Sequence, residues 1–147
     1  MILTEEKNMK RKNEGYGELL EVAERARESA YSPYSGISVG AALLTASGKV
    51  YTGANIENAS YTPTVCAERT AIFKAVLDGE RDFVAIAIAG GKRGEAPTDG
   101  FYPCGVCRQV MAEFAGQDLV ILTTLGDSYE CHTLADMLPS SFTKDKL

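Results

Sequence analysis

The 147-residue chain lacks any long apolar run. Its longest, Phe83 to Ala89, is far short of the roughly 20 residues a membrane-spanning helix needs. It also lacks a secretory start: Met1-Ile2-Leu3-Thr4-Glu5-Glu6-Lys7 turns charged at once and has no apolar h-region. Positive charge is in short supply, with 15 Lys and Arg against 20 Asp and Glu, a net charge of -5. That balance disfavours a general binder of phosphate backbone, which needs cations to neutralise phosphates, and leaves only a local basic patch as a route to nucleic acid. Histidine occurs once, at position 132; a lone histidine in a predicted strand reads as structural in preference to a zinc or triad role, and the sequence marks out no Ser-His-Asp triad around it. Repeats, low-complexity tracts and linkers are also missing, which leaves residues 15–147 as a single domain behind a polar, charged tail over 1–14. A cytoplasmic location and no membrane association are the expectation. There, four cysteines read as metal ligands more readily than as disulfides.

What is present is hydrophobic periodicity. Leu19, Leu20, Val22, Ala23, Ala26 and Ala30 recur at helical spacing, predicting a helix from Tyr16 to Ala30 that Pro33 cannot continue. Ile37 to Thr45 and Lys49 to Asn55, separated by Ser47-Gly48, predict a hairpin. Gly53 within its second arm predicts a bulge or the close approach of another group. Cys66 to Leu77 and Cys104 to Phe114 predict amphipathic helices, stopped by Gly79 and Gly116. The nearly all-apolar Phe83 to Ala89 predicts a strand covered on both faces. Gly90 to Gly100 reads as a loop, Leu119 to Thr124 and Tyr129 to Thr133 as strands, and Thr133 to Met137 as a short helix closed by Pro139. The order α-β-β-α-β-α-β-β-α predicts an α/β fold with one mixed sheet and helices on its faces.

Chemistry concentrates in Cys66-Ala67-Glu68-Arg69 and Pro103-Cys104-Gly105-Val106-Cys107. Three thiols suit tetrahedral zinc and leave its fourth position open, as a catalytic site requires. Cys66 and Cys104 fall at helix N-termini, whose partial positive charge favours thiolates, and Cys107 follows Cys104 by one turn. Glu68 taken alone is a helix-start carboxylate favoured by the dipole; beside an open zinc it becomes a general acid and base. Zinc with three thiolates is anionic, so a compensating cation is expected, and Arg69 and Arg108 can each donate to sulfur. Cys131 makes a closed four-cysteine site conceivable, but it stands alone in a predicted strand, as a small buried residue does.

These motifs resemble the zinc signature of the cytidine deaminases. Ser32-Pro33-Tyr34-Ser35, Val39 to Leu44, Asn55-Ile56-Glu57-Asn58-Ala59 and Leu138 to Phe142 resemble the same family. The match runs in order from about residue 18 to 142 and points to its small homotetrameric three-cysteine type. The resemblance implies a three-layer α-β-α sandwich on a mixed five-stranded sheet. It implies one zinc per subunit, held by Cys66, Cys104 and Cys107. Glu68 would take a proton from water, whose oxygen attacks C4 of cytosine, and return protons to N3 and the departing amine. The substrate-binding set so implied is Asn55, Glu57, Ile37, Ala59, Tyr61, Ala67 and Phe142, with Asn55 and Glu57 on the ribose hydroxyls and Ala59, Tyr61 and Phe142 at subunit boundaries. Ile37 stands where the family often has Phe, and Tyr102 where a small residue is common, which bears on substrate range. Alternatives are a deaminase of another base or nucleoside analogue, and a non-catalytic zinc module. A deoxycytidylate deaminase would need a phosphate site, and no basic cluster supplies one.

Overall fold

A computed structural model describes residues 15–147; the tail expected over 1–14 lies outside the described residues. Helix α1 (Gly17–Ala26) runs into a 3-10 turn at Arg27–Ser29. Strands β1 (Ile37–Thr45) and β2 (Val50–Ala54) form the hairpin, followed by α2 (Ala67–Leu77), β3 (Phe83–Lys92), α3 (Gly105–Phe114), β4 (Val120–Leu125), β5 (Ser128–Thr133) and α4 (Leu134–Met137). The sheet order is β2-β1-β3-β4-β5. All neighbours pair antiparallel except β3 and β4, which are parallel and joined through α3, as a parallel pair requires. The mixed five-stranded sheet with flanking helices is the architecture the sequence implied.

Strand alternation sorts the core into two faces. On one, Val39, Leu43, Ile86, Ile88 and Ile121 pack against Ala71, Ile72 and Ala75 of α2 and Cys107 and Met111 of α3. On the other, Ala42, Ala85, Ala87 and Ala89 lie under Leu19, Leu20 and Ala23 of α1. The α1 face of the sheet is mostly alanine, with Leu122 its large member, which lets α1 approach closely. Gly40 completes that seat: a Cβ there would lie 1.9 Å from the Ala23 carbonyl oxygen. Each fully buried Leu or Ile contributes roughly 1.5–3 kcal/mol, so the face that carries α2 and α3 also anchors them most firmly.

Two expectations need correction in detail, and the structure decides between the two offered for Gly53. The first helix loses its α-form at Ala26, and Arg27 explains why it turns: its guanidinium donates to the carbonyls of Ser38, Lys92 and Glu95, pinning the turn to the sheet end. Strand β3 continues to Lys92, past the predicted start of the loop at Gly90. The glycines there are paired to β1 and covered, Gly90 by the Phe101 ring and Gly91 by the backbone of Ala96. Gly53 marks close approach and not a bulge, for β2 pairs with β1 in unbroken register through it. A Cβ at Gly53 would lie 2.3 Å from the Ala67 carbonyl oxygen and 2.5 Å from the Ala71 amide nitrogen. The glycine therefore lets the first turn of α2 rest directly on β2.

Candidate metal centre and active site

The leading cysteine of each motif is an N-cap. Cys66 (φ -75°, ψ 157°) precedes α2 and Cys104 (φ -68°, ψ 167°) precedes α3, each with extended backbone and neither with a side-chain hydrogen bond to its helix. The free amides of both first turns therefore lend positive potential to the sulfurs. Cys107, one turn into α3, is fully buried. The three sulfurs lie within 4.8 Å of one another, with Cys66 Sγ and Cys104 Sγ 3.7 Å apart.

Arg69 sits one helical turn after Cys66 and donates from Nη2 to Cys66 Sγ at 3.5 Å. The Cys66 thiol is pulled down to about 5, first by the hydrogen bond from Cys107 and further by Arg69. Cys107, the donor of that bond, is pushed up correspondingly. Three thiols so close cannot all ionise without a cation between them, and a borderline-soft divalent ion suits this donor set. Cys131 behaves in the opposite way. It stands on β5, outside the three-thiol group, and burial pushes its thiol up to about 11. The closed four-cysteine arrangement is thereby ruled out, and the donor set fits a three-ligand zinc.

Glu68 occupies the first turn of α2 and is only 3% exposed. Burial, and then the negative charge on Cys66, push its carboxyl up to about 7. A carboxyl poised near neutrality can both take and give a proton at physiological pH.

Arg108 does not follow its expectation of a bond to sulfur. Its Nε donates to the Pro103 carbonyl at 2.8 Å and its Nη1 to the Met137 carbonyl at 2.6 Å. It holds the backbone on either side of the site, and Arg69 is the arginine of the two that reaches a sulfur.

Asn55 and Glu57 follow β2 on extended backbone, bridged through Ile56 to Tyr31 and Val65. Both side chains turn toward the start of β1. Asn55 accepts from the Val39 amide at 2.8 Å and donates to the Ile37 carbonyl at 2.9 Å. Glu57 accepts from the amides of Tyr34 and Ser35 at 3.0 and 3.1 Å and from the Ser35 hydroxyl. Its carboxyl is held below the usual range, chiefly by that hydroxyl. Ser35 and Tyr34 thus orient a candidate binding residue, a role the residue pattern alone did not assign. The signal was present: the Ser-Pro-Tyr-Ser turn carries amides that need an acceptor. Thr70 was also missed. Its hydroxyl lies 3.0 Å from the Ala54 carbonyl and 2.8 Å from the Ala67 carbonyl, tying α2 to the end of β2 next to Asn55.

Ile37 is half-buried against the core, and Ala67 is fully buried at the start of α2. Ala59 is exposed, as are Tyr61 (70%) and Phe142 (61%). Tyr61 has φ +60° and sets its ring edge-on to Tyr34, centroids 6.0 Å apart. Tyr34, Ser35, Glu57, Tyr61 and Thr64 line a cavity of about 320 Å³. A larger one of about 980 Å³, between the end of α3 and residues 140–146, is lined by none of the thiols.

The family model described as cytidine and deoxycytidylate deaminase zinc-binding region matches residues 14–123. This chain belongs to that family. Its members are zinc-dependent hydrolytic deaminases, and the three-cysteine group supplies ligands for one zinc. Among curated relatives, a cytidine deaminase of Sporosarcina psychrophila is 48% identical over 130 residues, covering 88% of this chain and 92% of the relative. One of Halalkalibacterium halodurans is 49% identical over 130 residues, covering 88% and 95%. Among solved structures, cytidine deaminase from Burkholderia pseudomallei superposes with a TM-score of 0.76 at 44% identity, covering 86% of this chain and 98% of that one. That from Mycobacterium tuberculosis gives 0.74 at 37% identity, covering 87% and 97%. Within the deaminase family, then, the two helix N-termini of this chain carry the zinc-binding motif.

Proposed function

We propose that this chain hydrolyses cytidine and deoxycytidine to uridine and deoxyuridine, releasing ammonia, in pyrimidine salvage. The observation that carries this is the convergence of three thiols on one point beside a buried carboxyl shifted toward neutrality. When bound by Cys66, Cys104 and Cys107, zinc lowers the pKa of water and so supplies a nucleophile at neutral pH. Glu68 accepts the proton released as the water oxygen forms its bond to C4. The carboxyl then protonates N3, takes the proton remaining on the C4 hydroxyl and passes it to the amine as the C4–N bond breaks and the C4 carbonyl forms. Water enters and ammonia leaves, so the atoms balance, and one carboxyl serves both transfers because it lies near neutrality. Arg69 holds the Cys66 sulfur and offsets the negative charge of the ligand set.

Asn55 and Glu57 bind the ribose hydroxyls. Each keeps hydrogen-bonding capacity after its contacts to β1 and the Tyr34–Ser35 turn, since an amide has a second N–H and a carboxylate spare lone pairs. Ile37 and Ala67 offer apolar contact to the base. The working form is a homotetramer of one-domain subunits (residues 15–147) in which Ala59, Tyr61 and Phe142 complete a neighbouring site. Exposed Tyr61, Phe142, Phe73 and Leu77 support this, as does the apolar cavity of about 640 Å³ lined by Ile56, Val65, Phe73 and Leu77. A second copy would cover such surface. A cytoplasmic setting suits four free thiols. Among the described residues no helix is long and apolar enough to cross a membrane.

Ultraviolet assay of cytidine, deoxycytidine and deoxycytidylate with zinc-replete protein tests this reading. Turnover of both nucleosides with little on the nucleotide is expected. Turnover of none of them, with zinc bound, would direct attention to Ile37 and Tyr102 and to another base as substrate.

A further inference from the structure

The segment that leads into Cys104 is tied down at several points. The Thr98 amide and hydroxyl lie 2.8 and 3.2 Å from the Gly90 carbonyl. The Gly100 amide donates to the Thr124 carbonyl at 3.0 Å. The last side chain before the Pro-Cys pair belongs to Tyr102. Its hydroxyl donates to the Glu130 carboxylate on β5. Glu130 Oε1 also accepts from the hydroxyl of fully buried Thr123 at 3.2 Å, and its Oε2 lies 3.5 Å from His132 Nε2. The Tyr102 ring stands edge-on to His132, centroids 5.6 Å apart. An unpaired, solvated tyrosine would not be so held: ring and hydroxyl are fixed separately, by two residues of one strand.

Cys104 has particular need of such a hold. Cys107 is locked inside α3, and Cys66 accepts from Arg69. Cys104 is exposed and has extended backbone ahead of its helix. Its sulfur is therefore placed by the chain that precedes it as much as by α3. We infer that Tyr102, anchored by Glu130, is a positioning residue for the metal centre, holding the Pro103–Cys104 backbone so that Cys104 Sγ meets the other two sulfurs. The inference rests on the zinc reading above. It also gives a use to β5, the edge strand farthest from β2, and to the lone histidine, which supports the tyrosine ring instead of binding metal.

The test compares wild type, Tyr102→Phe, Glu130→Ala, Glu130→Gln and the Tyr102→Phe/Glu130→Ala double variant. Each is loaded first with zinc and then with cobalt(II) as a spectroscopic probe. Zinc release to a chromogenic chelator should be about three- to tenfold faster in Tyr102→Phe, below the 10–100-fold effect of a residue bonded directly to a ligand. The cobalt–thiolate bands should shift with it. Glu130→Ala should match Tyr102→Phe, the double variant should be no worse than either, and Glu130→Gln, which keeps an acceptor, should recover most of the loss. Release rates and cobalt spectra equal to wild type, with only the melting temperature lowered, would overturn the inference and leave the tie a fold contact. Independent, additive effects of the two residues would overturn it also. A wild-type chain that takes up no zinc would instead overturn the underlying reading, and the inference with it.

Discussion

The three-thiol end of the site and the rim proposed to bind the nucleoside are built in different ways. At the metal end the functional groups lie on or beside helix N-termini, and most are backed by core: Cys107 and Ala67 are fully buried and Glu68 nearly so, with Cys104 the exposed member. At the rim, Glu57 hangs from hydrogen bonds to a turn, and Tyr61 and Phe142 stand largely exposed. The first region is finished within one chain and held by the same burial that stabilises the fold. The second still presents apolar surface that a substrate or a second subunit would cover. Groups that need sub-ångström placement thus sit on rigid elements, whereas the proposed recognition residues sit on turns and loops.

The contrast can be broken most forcefully at Cys107. Cys107→Ser removes a ligand and leaves a hydroxyl in the core. Zinc affinity should fall by more than the 10–100-fold of an outer partner, with turnover falling alongside. Metal analysis after dialysis measures it.

Gly53→Ala comes next. The added Cβ would meet backbone of α2, which cannot swing aside. Overpacking of this kind costs about 1–3 kcal/mol. The melting temperature should drop by several degrees and zinc retention should weaken, because Cys66 and Glu68 ride on the displaced turn. A fall in stability with zinc affinity intact would separate helix seating from the site.

The smallest effect belongs to the rim. Glu57→Gln should raise KM for the nucleoside several-fold while kcat changes little and zinc remains. The carboxyl of Glu57 is held below its ordinary 4.5 by the Ser35 hydroxyl and the turn amides. Its stabilising contribution is therefore full above that value and is lost as pH falls through the depressed one. In wild type the Tyr34–Ser35 turn should loosen only below about pH 4.5, and in the Gln variant that pH step should vanish. Amide exchange at Tyr34 and Ser35 reports it.

How far the sequence could be read follows the same division. The metal end was legible because its spacing is local: Cys104 and Cys107 span one turn, and Cys66, Glu68 and Arg69 lie within another. The sheet was legible from short, nearly continuous apolar runs bounded by turn signals, and Gly53 from its place inside a strand. Arg108 was misread, because a residue beside a ligand in sequence can point around the helix, here to Pro103 and Met137. The extension of β3 was missed because Gly90 and Gly91 look like loop residues until Phe101 and Ala96 cover them. The partnership of Glu57 with Ser35, 22 residues away, and of Tyr102 with Glu130, 28 away, is long-range hydrogen bonding, which no local pattern encodes.

The proposed function turns on Glu68 moving protons for a zinc site built by Cys66, Cys104 and Cys107. Its most direct test is Glu68→Gln, near-isosteric and unable to accept the proton, assayed for bound zinc and for cytidine turnover in the same preparation. One zinc per chain, an unchanged melting profile and a kcat lower by about 10²–10⁴-fold are expected. Turnover close to wild type with zinc in place would contradict it.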